Sequence, residues 1–139
     1  MRTSEEKPYD TRVIVGNLGL DVGLCHFVDL LIGKQSDGFQ YIGVGNGTAA
    51  TTTTMTGLIG TSLYYKGMSL GYPQIATYPL QYIRFLTDME PAEANFDWNE
   101  FTVANGNSDA ADNLNRKVSD QGTKVSGQTW TLDLAITFS

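Results

Sequence analysis

The hydrophobic pattern is clearest near the carboxyl-terminal end of the chain, where apolar and polar residues alternate. The apolar side chains stand at every second position: Trp130, Leu132, Leu134, Ile136 and Phe138. A period of two places these side chains on one face of a β-strand and leaves the other face to solvent. The pattern therefore predicts a long closing strand that covers one side of a hydrophobic core.

A second pattern, with helical spacing, lies near the amino-terminal end. Its apolar residues recur at intervals of three and four: Leu20, Leu24, Phe27, Val28 and Leu31. This spacing predicts a helix that buries these side chains as one stripe. Asn17 or Asp21 can cap its start, and Gly33 stands where a residue with a left-handed backbone commonly ends a helix.

Between these two elements, Gly, Pro, Asn and Asp separate further segments of strand-like composition. They cover residues 39–44, 63–70, 74–89, 96–104 and 114–118. One helix followed by about six strands predicts a mainly β protein, an antiparallel β-sandwich of jelly-roll-like form with one amino-terminal α-helix. Residues 48–56, which are rich in Thr, have no apolar period and are expected to form a loop.

The first fifteen residues do not follow either pattern. Residues 1–12 carry six charges and no apolar period, so we expect an extended arm over residues 1–15 and a folded domain over residues 16–139. The β-branched triplet of Val13, Ile14 and Val15 ends the arm. It can be an edge strand, or it can pair with another subunit.

Composition narrows the functional classes. A chain of 139 residues suits one domain, and a charged fraction of 17%, with many Gly and Thr residues, disfavours a helical bundle. A net charge of -6 argues against nucleic acid as a partner. No apolar segment has the form of a signal peptide or is long enough to cross a membrane, so we expect synthesis in a cytoplasm and no membrane partner.

The sequence offers little catalytic chemistry. Cys25 and His26 are adjacent on the predicted helix, where neighbouring side chains diverge, so they cannot form a thiolate–imidazole pair and Cys25 is read as a half-buried structural thiol. Residues 43–48 lack the Lys and the third Gly of known phosphate loops and are expected to form a turn. Acidic residues between Asp88 and Asp112 are expected to form a solvated rim. We therefore predict neither enzymatic activity nor a cofactor or metal site.

Tyrosines are concentrated in the middle of the chain, at Tyr64, Tyr65, Tyr72, Tyr78 and Tyr82. Tyr is enriched at protein interfaces because it joins a rigid apolar ring to a polar hydroxyl. Three roles stay open for the cluster: core packing, a protein–protein interface, or a platform for a glycan. The predicted contact residues of the chain are Arg2, Lys7, Arg12, Val13, Ile14, Val15, Tyr64, Tyr65, Tyr72 and Tyr78.

The order of several motifs resembles that of small structural proteins of tailed-bacteriophage virions. The matching segments are Asn-Leu-Gly-Leu at residues 17–20, Tyr-Ile-Gly-Val-Gly-Asn-Gly-Thr at 41–48, Glu-Ala-Asn-Phe at 93–96, Ala-Ala-Asp-Asn-Leu-Asn-Arg-Lys at 110–117, Lys-Val-Ser-Gly-Gln-Thr-Trp-Thr-Leu at 124–132 and Ile-Thr-Phe at 136–138. The resemblance covers residues 17–138, but the family does not align over residues 63–80.

The resemblance implies a virion component that works by protein–protein contact. We expect a capsid decoration (cement) protein that binds the major capsid protein and stabilises the head lattice, with a homo-oligomer, most naturally a trimer, as its form. A tail, baseplate or fibre component is an alternative within the virion. A carbohydrate-binding module or glycosidase that uses the tyrosines and acidic residues is an alternative of another class.

Overall fold

A computed structural model describes residues 18–75 and 82–137. Its elements are β1 (Leu18–Gly19), α1 (Asp21–Leu31), β2 (Tyr41–Gly45), β3 (Leu63–Gly67), β4 (Gln74–Ile75), β5 (Tyr82–Met89), β6 (Glu100–Ala104), β7 (Asn115–Val118) and β8 (Trp130–Thr137). The predicted arm, with Arg2, Lys7, Arg12, Val13, Ile14 and Val15, lies outside the described residues, as do Tyr78 and Phe138.

The described strands form two antiparallel sheets, which confirms the predicted β-sandwich. The larger sheet has the order β1-β7-β6-β2-β3 and the smaller sheet has the order β4-β5-β8. Side chains from both sheets meet in one hydrophobic cluster, where Ile42 and Phe101 of the larger sheet join Phe85, Met89 and Leu132 of the smaller one. The core therefore lies between the sheets.

The closing strand β8 confirms the predicted alternation within the described residues. It pairs with β5 along its whole length, from Met89↔Trp130 to Tyr82↔Thr137. Leu132 is buried, and Trp130, Leu134 and Ile136 are partly buried against the core. The residues between them face away from the core, so β8 covers one side of the sandwich.

Helix α1 has the predicted position and end. Its last carbonyls are closed by two bonds, from the Gly33 N–H to the Leu30 carbonyl (3.2 Å) and from the Lys34 N–H to the Asp29 carbonyl (2.7 Å). Gly33 has a φ of 81°, as a left-handed terminator requires. The prediction that Asp21 caps the start of the helix was wrong. Asp21 is the first helical residue, and Leu20, which makes no side-chain hydrogen bond there, occupies the cap position.

The predicted buried stripe of α1 was largely wrong. Leu20 is buried and Phe27 is half-buried, but Leu24, Val28 and Leu31 are exposed. The helix instead turns Gly23 and His26 inward. The cause is a close approach, since a Cβ at residue 23 would lie 2.3 Å from the Asn113 carbonyl oxygen and 2.3 Å from the Leu114 Cα.

The strand predicted over residues 96–104 begins later than expected, at Glu100. Before it, Ala94 adopts a φ of 53° and its carbonyl accepts a hydrogen bond from the Trp98 indole N–H (2.9 Å). This local bond holds Trp98 in the core without regular strand geometry.

The strand predicted over residues 74–89 is instead two strands, β4 and β5, which pair antiparallel, so the chain reverses direction between them. The strands predicted over residues 39–44, 63–70 and 114–118 agree with β2, β3 and β7 to within a few residues.

Candidate functional site

His26 joins three parts of the chain at the inner face of α1. Its imidazole is 3% exposed, with Nδ1 2.7 Å from the Asp112 carboxylate and Nε2 2.8 Å from the Asp37 carbonyl oxygen. The Phe39 ring packs edge-on against it. Both partners accept hydrogen bonds, so only the doubly protonated ring can donate to both.

The same contacts raise the pKa of His26. Burial alone would lower the pKa, but the hydrogen bond to the Asp37 carbonyl and the hydrogen bond and charge of Asp112 raise it above 6.5. A histidine that serves as a general base needs a free nitrogen directed at its substrate. In this structure both nitrogens of His26 face internal acceptors, so the ring works as a cross-link within the fold.

Cys25 is exposed, which corrects the prediction of a half-buried thiol. The inward turn of Gly23 and His26 carries Cys25 to the outer side of α1. There it lines a shallow groove with Asp21, Leu24, Val28 and Asp29. As predicted from their adjacency on the helix, the thiol and the imidazole point to different surroundings.

The glycine-rich turn after β2 surrounds an internal carboxylate. Both side-chain oxygens of Glu100 accept backbone hydrogen bonds, from Gly47 (2.9 Å), Gly60 (2.7 Å) and Ile59 (3.0 Å). A Cβ at residue 47 or 60 would lie 2.7 Å from the same oxygen, Oε2. Glycine is therefore needed for this close approach. The Gly47 N–H of this turn and the Ile59 and Gly60 N–H groups before β3 together bind a carboxylate of the same chain, in the way that backbone N–H groups of other glycine-rich loops bind phosphate.

Arg116 completes this internal anion site. Its Nε donates to Glu100 Oε1 at 2.8 Å, and both side chains are 0% exposed. Its Nη1 reaches the Thr-rich loop, where it donates to the Ala49 carbonyl (2.7 Å) and the Thr51 hydroxyl (2.8 Å). The ion pair thus fixes a loop that has no hydrophobic pattern of its own.

The predicted solvated acidic rim is corrected at two positions. Glu100 is buried in the ion pair, and Glu93 is partly buried against Lys66 (2.7 Å). The Lys66 hydrogen bond, with that from the Glu90 N–H, lowers the pKa of Glu93 to about 2. No group of three or more His, Cys, Asp or Glu side chains that could hold a metal ion occurs within residues 18–75 and 82–137.

A buried lysine braces the same acidic segment. Lys124 is 0% exposed, and its Nζ donates to the Glu90 carbonyl, the Glu93 carbonyl and the Asn95 side-chain oxygen, each at 2.8 Å. All three of its protons therefore have acceptors. The sequence did not predict this role, because a lone Lys between Thr123 and Val125 carries no signal that distinguishes it from a surface lysine.

The tyrosines do not form one cluster. Tyr64 donates to Glu93 (3.0 Å) and Tyr65 donates to Asn113 (2.8 Å), from opposite faces of β3. Burial raises the pKa of Tyr65 well above its usual value. Tyr72 lies elsewhere, in the loop before β4, where the Arg84 guanidinium stands 5.7 Å from its ring centroid. Of the predicted contact residues, the described structure leaves Tyr72 best suited to a partner.

Tyr72 belongs to a surface that we call the Tyr72 patch, made of Tyr72, Arg84 and Leu70, which lies in the same turn as Tyr72. Leu70 is fully exposed, which is unusual for a large aliphatic side chain. Ile75 is also 80% exposed, but it pairs with Ile83 and therefore lies on the opposite face of the sheet from Arg84. Arg84 is held by Asp133 (2.6 Å) beside Tyr72. Tyr and Arg side chains are enriched at the centre of protein–protein interfaces.

Comparisons with protein-family models, with curated proteins and with solved structures found no match to this chain. Within the described residues, no helix has the length and apolar character needed to cross a membrane.

Proposed function

We propose that this protein is a structural component of a tailed-bacteriophage virion, in the role of a capsid decoration protein that binds the head lattice by protein–protein contact. The order of motifs along residues 17–138 supports the virion assignment through its resemblance to small phage structural proteins. The surface chemistry of the sandwich supports a role in binding another protein.

The single observation that carries the contact role is the Tyr72 patch. Exposed apolar side chains cost solvation free energy unless a partner covers them, at about 25 cal/mol for each Å² of apolar surface. Leu70 makes this case most strongly because its side chain is entirely exposed. The adjoining Tyr72 and Arg84 pair adds the residue types that dominate binding energy at interfaces.

The sandwich has the rigidity that a decoration protein needs to withstand force on the head. Buried charges in Glu100, Arg116 and Lys124 tie loops to strands, so that segments without a hydrophobic pattern are still fixed. A decoration protein works best as a rigid body because ordering it on the lattice then costs little conformational entropy. The proposal also includes Arg2, Lys7 and Arg12, whose positive charges can form ion pairs with carboxylates of the major capsid protein.

The experiment that tests the proposal adds the purified protein to phage particles assembled without it. Electron microscopy of the particles is expected to show density at repeated positions on the head. Leu70→Asp is expected to weaken binding at least about tenfold, as for loss of an interface anchor. Val125→Asp is the matched control, because Val125 is also exposed (51%) but lies outside the patch.

Two results would contradict the assignment. Density confined to the tail, baseplate or fibres would replace decoration by the alternative role within the virion. Absence of binding to any part of the particle, together with binding of the purified protein to a glycan array, would support the carbohydrate-binding alternative. The separate positions of Tyr64, Tyr65 and Tyr72 do not favour a single sugar platform.

A further inference from the structure

Helix α1 presents an apolar face that no described residue covers. The exposed fractions are 45% for Leu24, 51% for Val28, 76% for Leu31 and 60% for Ile32. These four side chains follow the helical spacing of one continuous face. Single exposed apolar residues are common on protein surfaces, but a continuous apolar face usually marks a docking surface.

The attachment of α1 explains why this face stays outside. Gly23 and His26 hold the opposite side of the helix against residues 112–114 and Asp37, so the helix cannot rotate to bury Leu24 and Val28. A shallow groove runs beside them, lined among the described residues by Asp21, Leu24, Cys25, Val28 and Asp29. Its carboxylates flank an apolar floor.

The described residues begin beside this face. Gly19 of β1 lies under Leu24, since a Cβ at residue 19 would be 3.2 Å from a Leu24 methyl group. Seventeen residues precede Leu18, and the apolar triplet Val13–Ile14–Val15 is separated from it by only Gly16 and Asn17. Both of these residue types favour tight turns.

Simple distances agree with a short return path. An extended chain covers about 3.3 Å per residue, so the triplet begins about 10 Å from Leu18. Leu24 and Leu31 are about 10 Å apart along the helix axis. The connection is therefore long enough for a turn at Gly16 and Asn17 to place the triplet over the first two turns of the exposed face.

We propose that Val13, Ile14 and Val15 dock on the exposed apolar face of α1 in the same chain. The short connection gives the triplet a high effective concentration at this face, which favours it over the same segment of a second copy. Docking removes the apolar side chains of the triplet and the exposed helix face from water together. The proposal does not depend on the virion assignment.

Cys25 provides a direct test because it is the only cysteine of the chain and lines the groove. Ile14→Cys is introduced into the full-length protein, which is then oxidised at low concentration. A disulfide forms only when the two Cα atoms come within about 7 Å. We expect a monomeric product with one internal disulfide, identified by intact mass and by its mobility without reductant.

The control keeps the cysteine of the arm and moves its partner. Ile14→Cys with Cys25→Ser and Gln128→Cys places the second thiol at another exposed position, away from α1. This variant is expected to form at least about tenfold less internal disulfide. A disulfide-linked dimer of the first variant would overturn the proposal in favour of a second copy, and equal cross-linking of both variants would overturn it as non-specific.

A measurement without an introduced cysteine keeps the proposal falsifiable if that variant misfolds. Ile14→Asp is expected to increase the rate at which a bulky thiol reagent modifies Cys25 by at least about tenfold, because an aspartate opposes docking on an apolar face. Thr11→Asp, which adds the same charge outside the triplet, is expected to leave the rate unchanged. An unchanged rate for Ile14→Asp would overturn the proposal.

Discussion

Glu100 and Arg116 show how strongly burial determines the contribution of an ion pair to the stability of the fold. Both side chains are 0% exposed and 2.8 Å apart, whereas Arg84 and Asp133 form a comparable contact at 2.6 Å with side chains 38% and 41% exposed. Water screens the second pair but not the first. Removal of one member of the buried pair leaves a charge without compensation.

The first prediction follows from this contrast. Arg116→Met is expected to lower the free energy of unfolding by about 3–5 kcal/mol, because Glu100 stays buried without its partner. Arg84→Met, the matched control, is expected to cost about 0–1 kcal/mol. Urea unfolding of both variants measures the difference. Equal losses would show that the buried pair does not carry the stability assigned to it.

The second prediction concerns pH and depends on two groups with opposite shifts. The raised pKa of His26 stabilises the fold below its ordinary value of 6.5, and this contribution is lost as pH rises through the folded-state pKa. The pKa of Glu93, lowered from 4.5 to about 2, stabilises the fold above 4.5 and is lost as pH falls towards 2. We expect stability to be greatest between these ordinary values, in unfolding curves from about pH 3 to about pH 9.

Substitutions separate the loss of stability at low pH, the acid limb of the profile, from the loss at high pH, the alkaline limb. His26→Gln is expected to flatten the alkaline limb and leave the acid limb, since it removes the group that loses its proton there. Glu93→Gln is expected to do the reverse. An alkaline limb that keeps its slope in His26→Gln would assign the pH dependence to other groups.

At the scale of elements, some properties of helix α1 follow from its local sequence and others from its contacts with the rest of the fold. Its length and its end at Gly33 follow from local signals, and both agree with the structure. Its orientation does not follow from local signals, because the apolar spacing predicts that Leu24, Val28 and Leu31 are buried, whereas all three are exposed. Backbone contact at Gly23 and hydrogen bonds at His26 outweigh that preference, and neither contact is visible from hydrophobic spacing.

The third prediction tests this orientation at Gly23. Ala favours a helix over Gly by about 1 kcal/mol, so the sequence alone predicts that Gly23→Ala stabilises the protein. In the structure the added methyl group meets backbone atoms at 2.3 Å, which cannot move aside as a side chain can. Overpacking costs about 1–3 kcal/mol or more. We therefore expect a net loss of stability in urea unfolding.

Gly33→Ala provides the comparison for that experiment. Its added Cβ meets no atom within 4 Å, and its cost comes only from the φ of 81°. We expect a loss of about 1 kcal/mol with α1 still attached. A gain of stability in Gly23→Ala would mean that α1 does not lie against residues 113 and 114 as described.

In the strands, too, the hydrophobic pattern predicts some features, while side-chain hydrogen bonds to the backbone determine others. The alternation in β8 specifies a long strand because each apolar residue gains the same burial against β5 and the core. Residues 96–99 also have apolar members, yet Trp98 is fixed by its bond to the Ala94 carbonyl and precedes the strand instead of continuing it. A pattern of burial predicts regular elements well, but it carries no information about side-chain bonds to backbone.

At the scale of the whole molecule, the sandwich could be predicted while its internal bracing could not. Glu100, Arg116 and Lys124 read as surface charges in the sequence, and their partners lie 16 to 67 positions away along the chain. The surface suited to a partner was also predicted only in part. Tyr72 was included among the contact residues, but Leu70 adjoins it only through the turn at residues 69–72, and Arg84 reaches it only from β5.

The last prediction concerns the arm and the particle together. Residues 1–12, which precede the described residues, hold three basic residues, Arg2, Lys7 and Arg12. Deletion of these twelve residues is expected to leave circular dichroism and melting temperature unchanged, because no described core residue belongs to them. Binding to particles is expected to fall at least about tenfold, the equivalent of about 1.4 kcal/mol.

The deletion keeps Val13, Ile14 and Val15, so docking on α1 and contact with the particle can fail separately. Serine at Arg2, Lys7 and Arg12 in the full-length chain isolates the charges from the length of the arm. This variant is expected to lose most of the same affinity and the salt dependence of binding, since exposed ion pairs weaken as ionic strength rises. Full occupancy of particles by the truncated protein, at the same concentration and salt, would show that residues 1–12 do not contribute to the contact.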